Sequence, residues 1–155
     1  MDWSSFLAAG TDRAVRPLLP QALALMGDPA PGIAVDLGSG DGTESRYLAE
    51  NGWRVHAFDG ADGAEERASN GLPAELLERL DATQIAFEDI RTLPAAGLLY
   101  AGRSLPFCAE THFAGLWRII LESIEPGGWF VGDFFGPNDS WAGRDDMNFH
   151  GRTEV

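Results

Sequence analysis

Three glycines at alternate positions, Gly38, Gly40 and Gly42, stand among the acids Asp36, Asp41 and Glu44 in the run Ile33-Ala34-Val35-Asp36-Leu37-Gly38-Ser39-Gly40-Asp41-Gly42-Thr43. Glycine lets a backbone bend sharply and lets a ligand approach with no Cβ in the way. Further on, Asp59 follows a second largely apolar run at 53–58. A glycine-rich first crossover with an acid behind the second strand is the arrangement by which open α/β sheets hold a nucleoside through its ribose.

The spacing narrows the ligand. Dinucleotide sites favour G-x-G-x-x-G/A, whose last small residue lets the helix pack close beside the pyrophosphate. Here the third glycine arrives one residue early, and position 43 is Thr. Asp41 lies in the loop, Glu44 follows it, and lysine is absent from the whole chain. Acids repel a pyrophosphate, whereas a ligand carrying a sulfonium and an ammonium suits them. A bare glycine turn with no ligand is the alternative. It does not explain why strand, loop and later acid occur together.

These residues need elements to position them. Helices are expected over 2–9 and 13–26, the second with Val15, Leu18, Leu19, Leu23 and Met26 on one side and Pro17 in its first turn. A first strand spans 33–37 and a helix about 42–50, with Asp41 as N-cap and Glu44 placed for a capping box. The second strand is 53–58. A weaker helical region, 62–80, breaks at Asn70-Gly71 and Pro73 and resumes over 75–80. Strands follow at 84–87 and 98–101. An amphipathic helix over 110–124 carries Phe113, Leu116, Trp117, Ile120, Leu121 and Ile124 at helical spacing, Pro126-Gly127-Gly128 stops it, and a fifth strand runs over 129–135. Alternating strands and helices predict an α/β fold: a Rossmann-like, doubly wound, mainly parallel sheet with helices on both faces.

Composition excludes several function classes. The 155 residues suffice for one domain. A net charge of −13 repels phosphate backbones, so nucleic acid is not the expected partner. The single cysteine, Cys108, excludes an intramolecular disulfide and fits a reducing, cytoplasmic compartment. No apolar run reaches membrane-spanning length, and Asp2, Asp12, Arg13 and Arg16 interrupt any signal-peptide pattern.

The glycine run resembles motif I of the class I S-adenosylmethionine-dependent methyltransferases, an acid and a hydrophobic residue before G-x-G-x-G. The similarity extends over about 31–136, through Asp59 and the Glu125-Pro126-Gly127-Gly128 turn. Within that family the chain looks closest to small bacterial enzymes of the tellurite-resistance methyltransferase type. The resemblance implies one domain over 1–155: N-terminal helices to 30, a Rossmann-like core over 31–136, and a loop with the start of a helix over 137–155. The family continues after its fifth strand with a helix and an antiparallel hairpin. This sequence stops where that helix would start, so a sheet of about five strands is expected. Its edge at the fifth strand would then pair with a second copy, unless the sequence is a fragment.

The resemblance implies S-adenosylmethionine as cofactor and a small-molecule acceptor. Asp36, Gly38, Ser39, Gly40 and Gly42 would form the glycine loop, and Asp59 with Gly60 would hold the ribose. Asp89 with Ile90 would meet the adenine, with Glu88 as the rival acid. Tyr100 and Ala101 would touch the methionine moiety, and Ser104 and Phe107 would shape the acceptor pocket, unless 105–107 simply packs the next helix. Arg13 or Arg16 would pair with the cofactor carboxylate, unless both are solvated surface residues. No catalytic residue is assigned, since a displacement at a sulfonium needs a base only when the nucleophile must lose a proton.

Blander roles are expected elsewhere. His112 reads as a surface or capping residue and Cys108 as a small buried hydrophobe. Asp133, Asp139, Asp145 and Asp146 match no rigid ligand spacing, so no metal is expected. Trp141 and Phe149 read as anchors of an irregular segment. Two alternatives stay open: a non-catalytic S-adenosylmethionine-binding module, and a nicotinamide-dependent oxidoreductase, which the glycine spacing opposes.

Overall fold

The computed structural model describes residues 13–27 and 31–154, and the helix expected over 2–9 lies outside them. Its centre is β1 (Ile33–Leu37), buried along nearly its whole length. Four strands flank it: β2 (Arg54–Asp59), β3 (Leu80–Gln84), β4 (Ala96–Ala101) and β5 (Ile124–Gly132), all parallel in the order β3-β2-β1-β4-β5. Strands buried on both faces read as continuous apolar runs, which is why β1 and β4 were legible in the sequence.

Alternation along the strands divides the core. Val35, Leu37, Leu99 and Ala101 face Phe113, Leu116 and Ile120 of α5 (Glu110–Ser123). Ala34, Val55, Leu98 and Tyr100 face the opposite layer, built from α1 (Leu18–Met26) and α2 (Thr43–Glu50). Two shorter helices, α3 (Ala64–Ser69) and α4 (Ala74–Leu77), lead to β3. Leu121, expected on the buried stripe of α5, is instead 53% exposed.

Four boundaries differ from expectation, each for a physical reason. Helix α1 begins at Leu18 rather than at 13, because Pro17 disfavours helical geometry at the residue before it. Residues 13–16 are irregular and free to turn towards the sheet. Strand β3 lies at 80–84 rather than 84–87: it pairs Leu80 with Val55 and Gln84 with Asp59 as an edge strand whose exposed residues mask the apolar pattern. The expected helical stretch over 75–80 therefore ends at Leu77. Finally, Pro126-Gly127-Gly128 does not precede the last strand but interrupts it. Ala96 pairs with Ile124 and Leu98 with Trp129, so residues 125–128 bulge out of the ladder. Phe134 and Phe135 fall beyond the strand's end.

After β5 the chain makes turns and returns across the carboxyl ends of the strands; the start of a helix expected over 137–155 does not form among the described residues. Asn148, 1% exposed, staples this segment to the loop after β4. Its side-chain amide donates to Leu105 O (2.6 Å) and Cys108 O (2.8 Å), and its backbone N–H donates to Pro106 O (2.9 Å). Trp141 packs against Phe107 and Phe135, the anchoring expected of it.

Candidate functional site

The strand order reverses between β1 and β4, and open α/β sheets bind ligands at that switch, beyond the carboxyl ends of the strands. A cavity of about 500 Å³ opens there. That volume is within the range of small-molecule sites.

The glycine loop forms one wall. Gly38, Gly40 and Gly42 have φ of 75°, 56° and 76°, the left-handed region that favours glycine. Gly38 N–H and Ser39 N–H both donate to Phe58 O, at 2.7 and 3.1 Å, and Gly40 N–H donates to Asp59 Oδ2 at 2.8 Å. The loop is thus tied to the end of β2. A Cβ on Gly38 would lie 2.2 Å from Ser104 Cβ, so this glycine also allows the loop after β4 to close on the first crossover. Gly42 serves packing instead: a Cβ there would meet Ala68 Cα at 2.5 Å, and the residue does not line the cavity.

Asp59 holds the second wall. Besides Gly40 N–H it accepts Ala61 N–H at 2.8 Å, and Arg67 Nη2 lies 3.8 Å from Oδ1. A carboxylate has about four acceptor sites, so two remain for a ligand. Arg67 Nε donates to Gly40 O (2.9 Å), and Arg46 donates to Asp41 O and Arg67 O. Nothing in the spacing of the sequence marks these two arginines as braces of the loop. Their partners come together only when α2 and α3 pack side by side.

Glu44 does not close a capping box. It is buried, and Arg13 clamps it through both guanidinium nitrogens while also pairing with Asp41. Arg16 N–H adds a bond of 3.0 Å to Glu44 Oε1. Burial opposes the charge on Glu44, but these donors more than offset it and hold the carboxyl below its ordinary value. Asp41 keeps a cap-like role, accepting Thr43 N–H at 3.1 Å, although the cap residue of α2 is Gly42.

Two polar atoms of residues on the cavity wall have no partner among the described residues. They are Arg16 Nε and Tyr100 Oη, both buried. A buried polar group left unsatisfied costs about 1–3 kcal/mol, so two together on a cavity wall point to a ligand that satisfies them. Burial pushes the Tyr100 phenol above its ordinary pKa, and the nearby charges of Glu44 and Asp36 push the same way.

Asp36 pairs with Tyr100 in the ladder and shares its face of the sheet. Burial raises its pKa to about 7 against the opposing hydrogen bond from Ser45 Oγ at 2.5 Å, and the charges of Glu44 and Asp59 raise it further. A carboxyl raised on folding holds its proton more tightly in the native state. Its contribution to stability is therefore full below the unfolded value of 3.8 and is lost as pH climbs to about 7. Asp36→Asn, which cannot ionise, is expected to gain stability relative to wild type between about pH 5 and about pH 8. Urea midpoints at both pH values check this, and parallel shifts would mean that Asp36 is not the titrating group.

The other expected residues separate cleanly. Ser39, Gly60, Ser104 and Phe107 line the cavity, while Ala101 is buried in the core behind it. On the side expected for adenine, the wall takes Phe87 and Glu88. Asp89 is exposed in the turn Phe87–Asp89, and Ile90 belongs to the core. Cys108 is buried, its thiol pushed up to about 12 by burial and by Glu88. His112 is exposed. Asp133 accepts Arg103 N–H, Asp139 accepts Trp141 N–H and Asp146 pairs with Arg144.

Neither a protein-family model nor a curated protein matches the sequence. Solved structures do match. The glycopeptide N-methyltransferase MtfA complexed with S-adenosyl-L-methionine shares 20% identity, with a TM-score of 0.66 over 81% of this chain and 57% of that one. An S-adenosylmethionine-dependent methyltransferase from Mesorhizobium loti shares 24% identity, with a TM-score of 0.63 over 77% of this chain and 55% of that one. TehB from Haemophilus influenzae shares 15% identity, with a TM-score of 0.68 over 84% of this chain and 45% of that one. The chain therefore spans between 45% and 57% of the length of these three proteins. The five-stranded parallel sheet flanked by helices is thus the Rossmann-like α/β fold seen in these solved methyltransferase structures.

Proposed function

We propose that the chain binds S-adenosylmethionine in this cavity and transfers its methyl group to a small-molecule acceptor. The observation that carries the reading is the pair of buried donors on the cavity wall, Arg16 Nε and Tyr100 Oη, that have no partner among the described residues. Asp59 would accept the ribose hydroxyls, and Phe87 and Glu88 would flank the adenine. Arg16 and Tyr100 would take the amino-acid carboxylate, and Asp36 would face the ammonium. When bound, the cofactor supplies an electrophilic methyl on a cationic sulfur. The protein holds the nucleophile in line and excludes water, effects that together reach roughly 7–11 kcal/mol in well-oriented systems. No side chain is assigned as a base.

Calorimetry with S-adenosylmethionine, S-adenosylhomocysteine and NADH tests the reading. Saturable binding of the two sulfur nucleosides alone supports it, and NADH binding in their place overturns it. Asp59→Ala is expected to weaken S-adenosylhomocysteine by about 1.5–3 kcal/mol. Arg16→Met is expected to weaken it by a similar amount, because the Nε donor that would meet the ligand carboxylate is lost. Variants that bind like wild type would place the ligand elsewhere.

A second reading keeps the cofactor cavity but makes the chain a binding module without turnover, since no side chain lining it is assigned as a base. Binding of S-adenosylhomocysteine with no methylation of any acceptor would favour it. Within the same proposal, the open edge of β5, where Trp129 is 41% exposed, pairs two copies. A monodisperse monomer by light scattering would rule that pairing out.

A further inference from the structure

The loop after β4 carries a feature to which the cofactor reading assigns no role. Arg103 is the one non-glycine described residue with positive φ, at 53°. A side chain in that region costs about 1–2 kcal/mol, and such strain gathers at functional positions. The conformation is held by Asp133, whose Oδ1 accepts Arg103 N–H at 2.7 Å. Arg103 lines the cavity and is exposed at its rim.

Three arginines line this cavity. Arg13 is committed to Asp41 and Glu44, and Arg16 has a buried Nε, as Tyr100 has a buried Oη, with no partner among the described residues. Arg103 has no carboxylate within ion-pair distance of its guanidinium among the described residues. Asp133 feels its charge and accepts its backbone N–H, yet the Asp133 carboxylate lies outside ion-pair distance of the guanidinium.

Beyond Arg103 the same loop turns apolar. Phe107 lines the cavity, and its ring centroid lies 6.2 Å from that of Phe135 and 6.0 Å from that of Trp141. Phe135 and Trp141 lie 6.0 Å apart, closing a triangle of rings. Asn148 holds the loop in place through Leu105 O and Cys108 O. A guanidinium beside an aromatic wall matches a ligand with an apolar body and a carboxylate head. Arg binds the head by paired N–H donors, and the Phe107 ring on the cavity wall covers the body.

We propose that Arg103 and Phe107, the latter braced by Phe135 and Trp141, select an acceptor that is an apolar, ring-sized molecule bearing a carboxylate. The proposal rests on the cofactor reading above, since it places the acceptor and the cofactor in one cavity. Arg103 is then a specificity residue of the acceptor site.

The test uses the full chain saturated with S-adenosylhomocysteine and two probes of one shape, 2-naphthoate and its uncharged amide. Ligand-observed NMR titration reads their affinities. Wild type is expected to bind the acid at least tenfold more tightly than the amide. Arg103→Gly suits the local backbone, so it is expected to fold, and to bind S-adenosylhomocysteine as wild type does. It is also expected to lose the preference, the two probes falling within threefold of each other. Arg103→Gln should behave likewise, separating lost charge from relieved strain. Equal binding of acid and amide by wild type, no binding of either, or an acid preference that survives in both variants overturns the proposal. Failure of wild type to bind S-adenosylhomocysteine is a different result: it removes the cofactor reading and this proposal with it.

Discussion

Gly38→Ala is expected to lose about 2–5 kcal/mol of stability and all measurable binding of S-adenosylhomocysteine. The left-handed backbone at φ 75° accounts for about 1–2 kcal/mol of this with any side chain present. The rest comes from packing, where a new methyl in a filled site costs about 1–3 kcal/mol. The added Cβ would lie 2.2 Å from Ser104 Cβ and 2.9 Å from Ser104 Oγ. Ser104 has little room to yield, because it is buried and its hydroxyl donates to Leu37 O at 2.5 Å. Either the glycine loop or the loop after β4 must therefore move, and both are cavity walls. Gly71→Ala is the control. Its φ is also 75°, with no atom within 4 Å of the added Cβ, so it isolates the backbone share. Urea unfolding of both variants gives the difference. Equal losses would refute the packing account, and Ser104→Gly in the Gly38→Ala background should recover the packing share.

Arg13→Met is expected to destabilise the fold by about 2–4 kcal/mol at neutral pH, because it leaves Asp41 and Glu44 buried without their cation. The side chain of Arg13 is 27% exposed, so the loss falls below that of a fully enclosed pair. The pH dependence is diagnostic. Glu44 is held below its ordinary value of 4.5, so the stability it draws from Arg13 is complete above that value. It is lost as pH falls through the depressed folded value, where the carboxyl takes up its proton. Wild type and Arg13→Met should therefore differ most at neutral pH and converge in acid. Adding Glu44→Gln to Arg13→Met should restore part of the loss, since an amide needs no counter-charge. A gap independent of pH would mean that Arg13 acts through packing alone. The same variant frees residues 13–16 from the loop, so weaker S-adenosylhomocysteine binding should accompany the lost stability.

Local patterns explain what could be read in advance. The β1–loop–α2–β2 unit was legible because an apolar run, alternate glycines and a trailing acid all act within a few residues of one another. The unpaired edge strand β3 was not, since Asp81, Thr83 and Gln84 face water and hide the strand period. Pro126-Gly127-Gly128 carries the signature of a stop, and only pairing with β4 makes it a bulge. Leu121 has the helical spacing of a core residue, yet no packing partner covers it among the described residues and it is 53% exposed.

The site divides along the same line. Gly38, Asp59, Tyr100 and Phe107 reach the cavity wall because strand ends and glycine turns carry their positions in local sequence. Whether Arg13 was a clamp or a surface charge, and whether Glu88 or Asp89 faced the cavity, depended on contacts with distant segments. Arg13 meets Glu44 across 31 positions, Arg67 meets Gly40 across 27, and Ser104 meets Leu37 across 67. By itself, then, the sequence determined a parallel α/β sheet with a glycine crossover and an acid behind it, because backbone sterics and hydrophobic period act locally. Only the tertiary structure decided which charges are paired and which donors are left for a ligand, because desolvation and ion pairing depend on the segments that the crossovers bring within about 3 Å of each other.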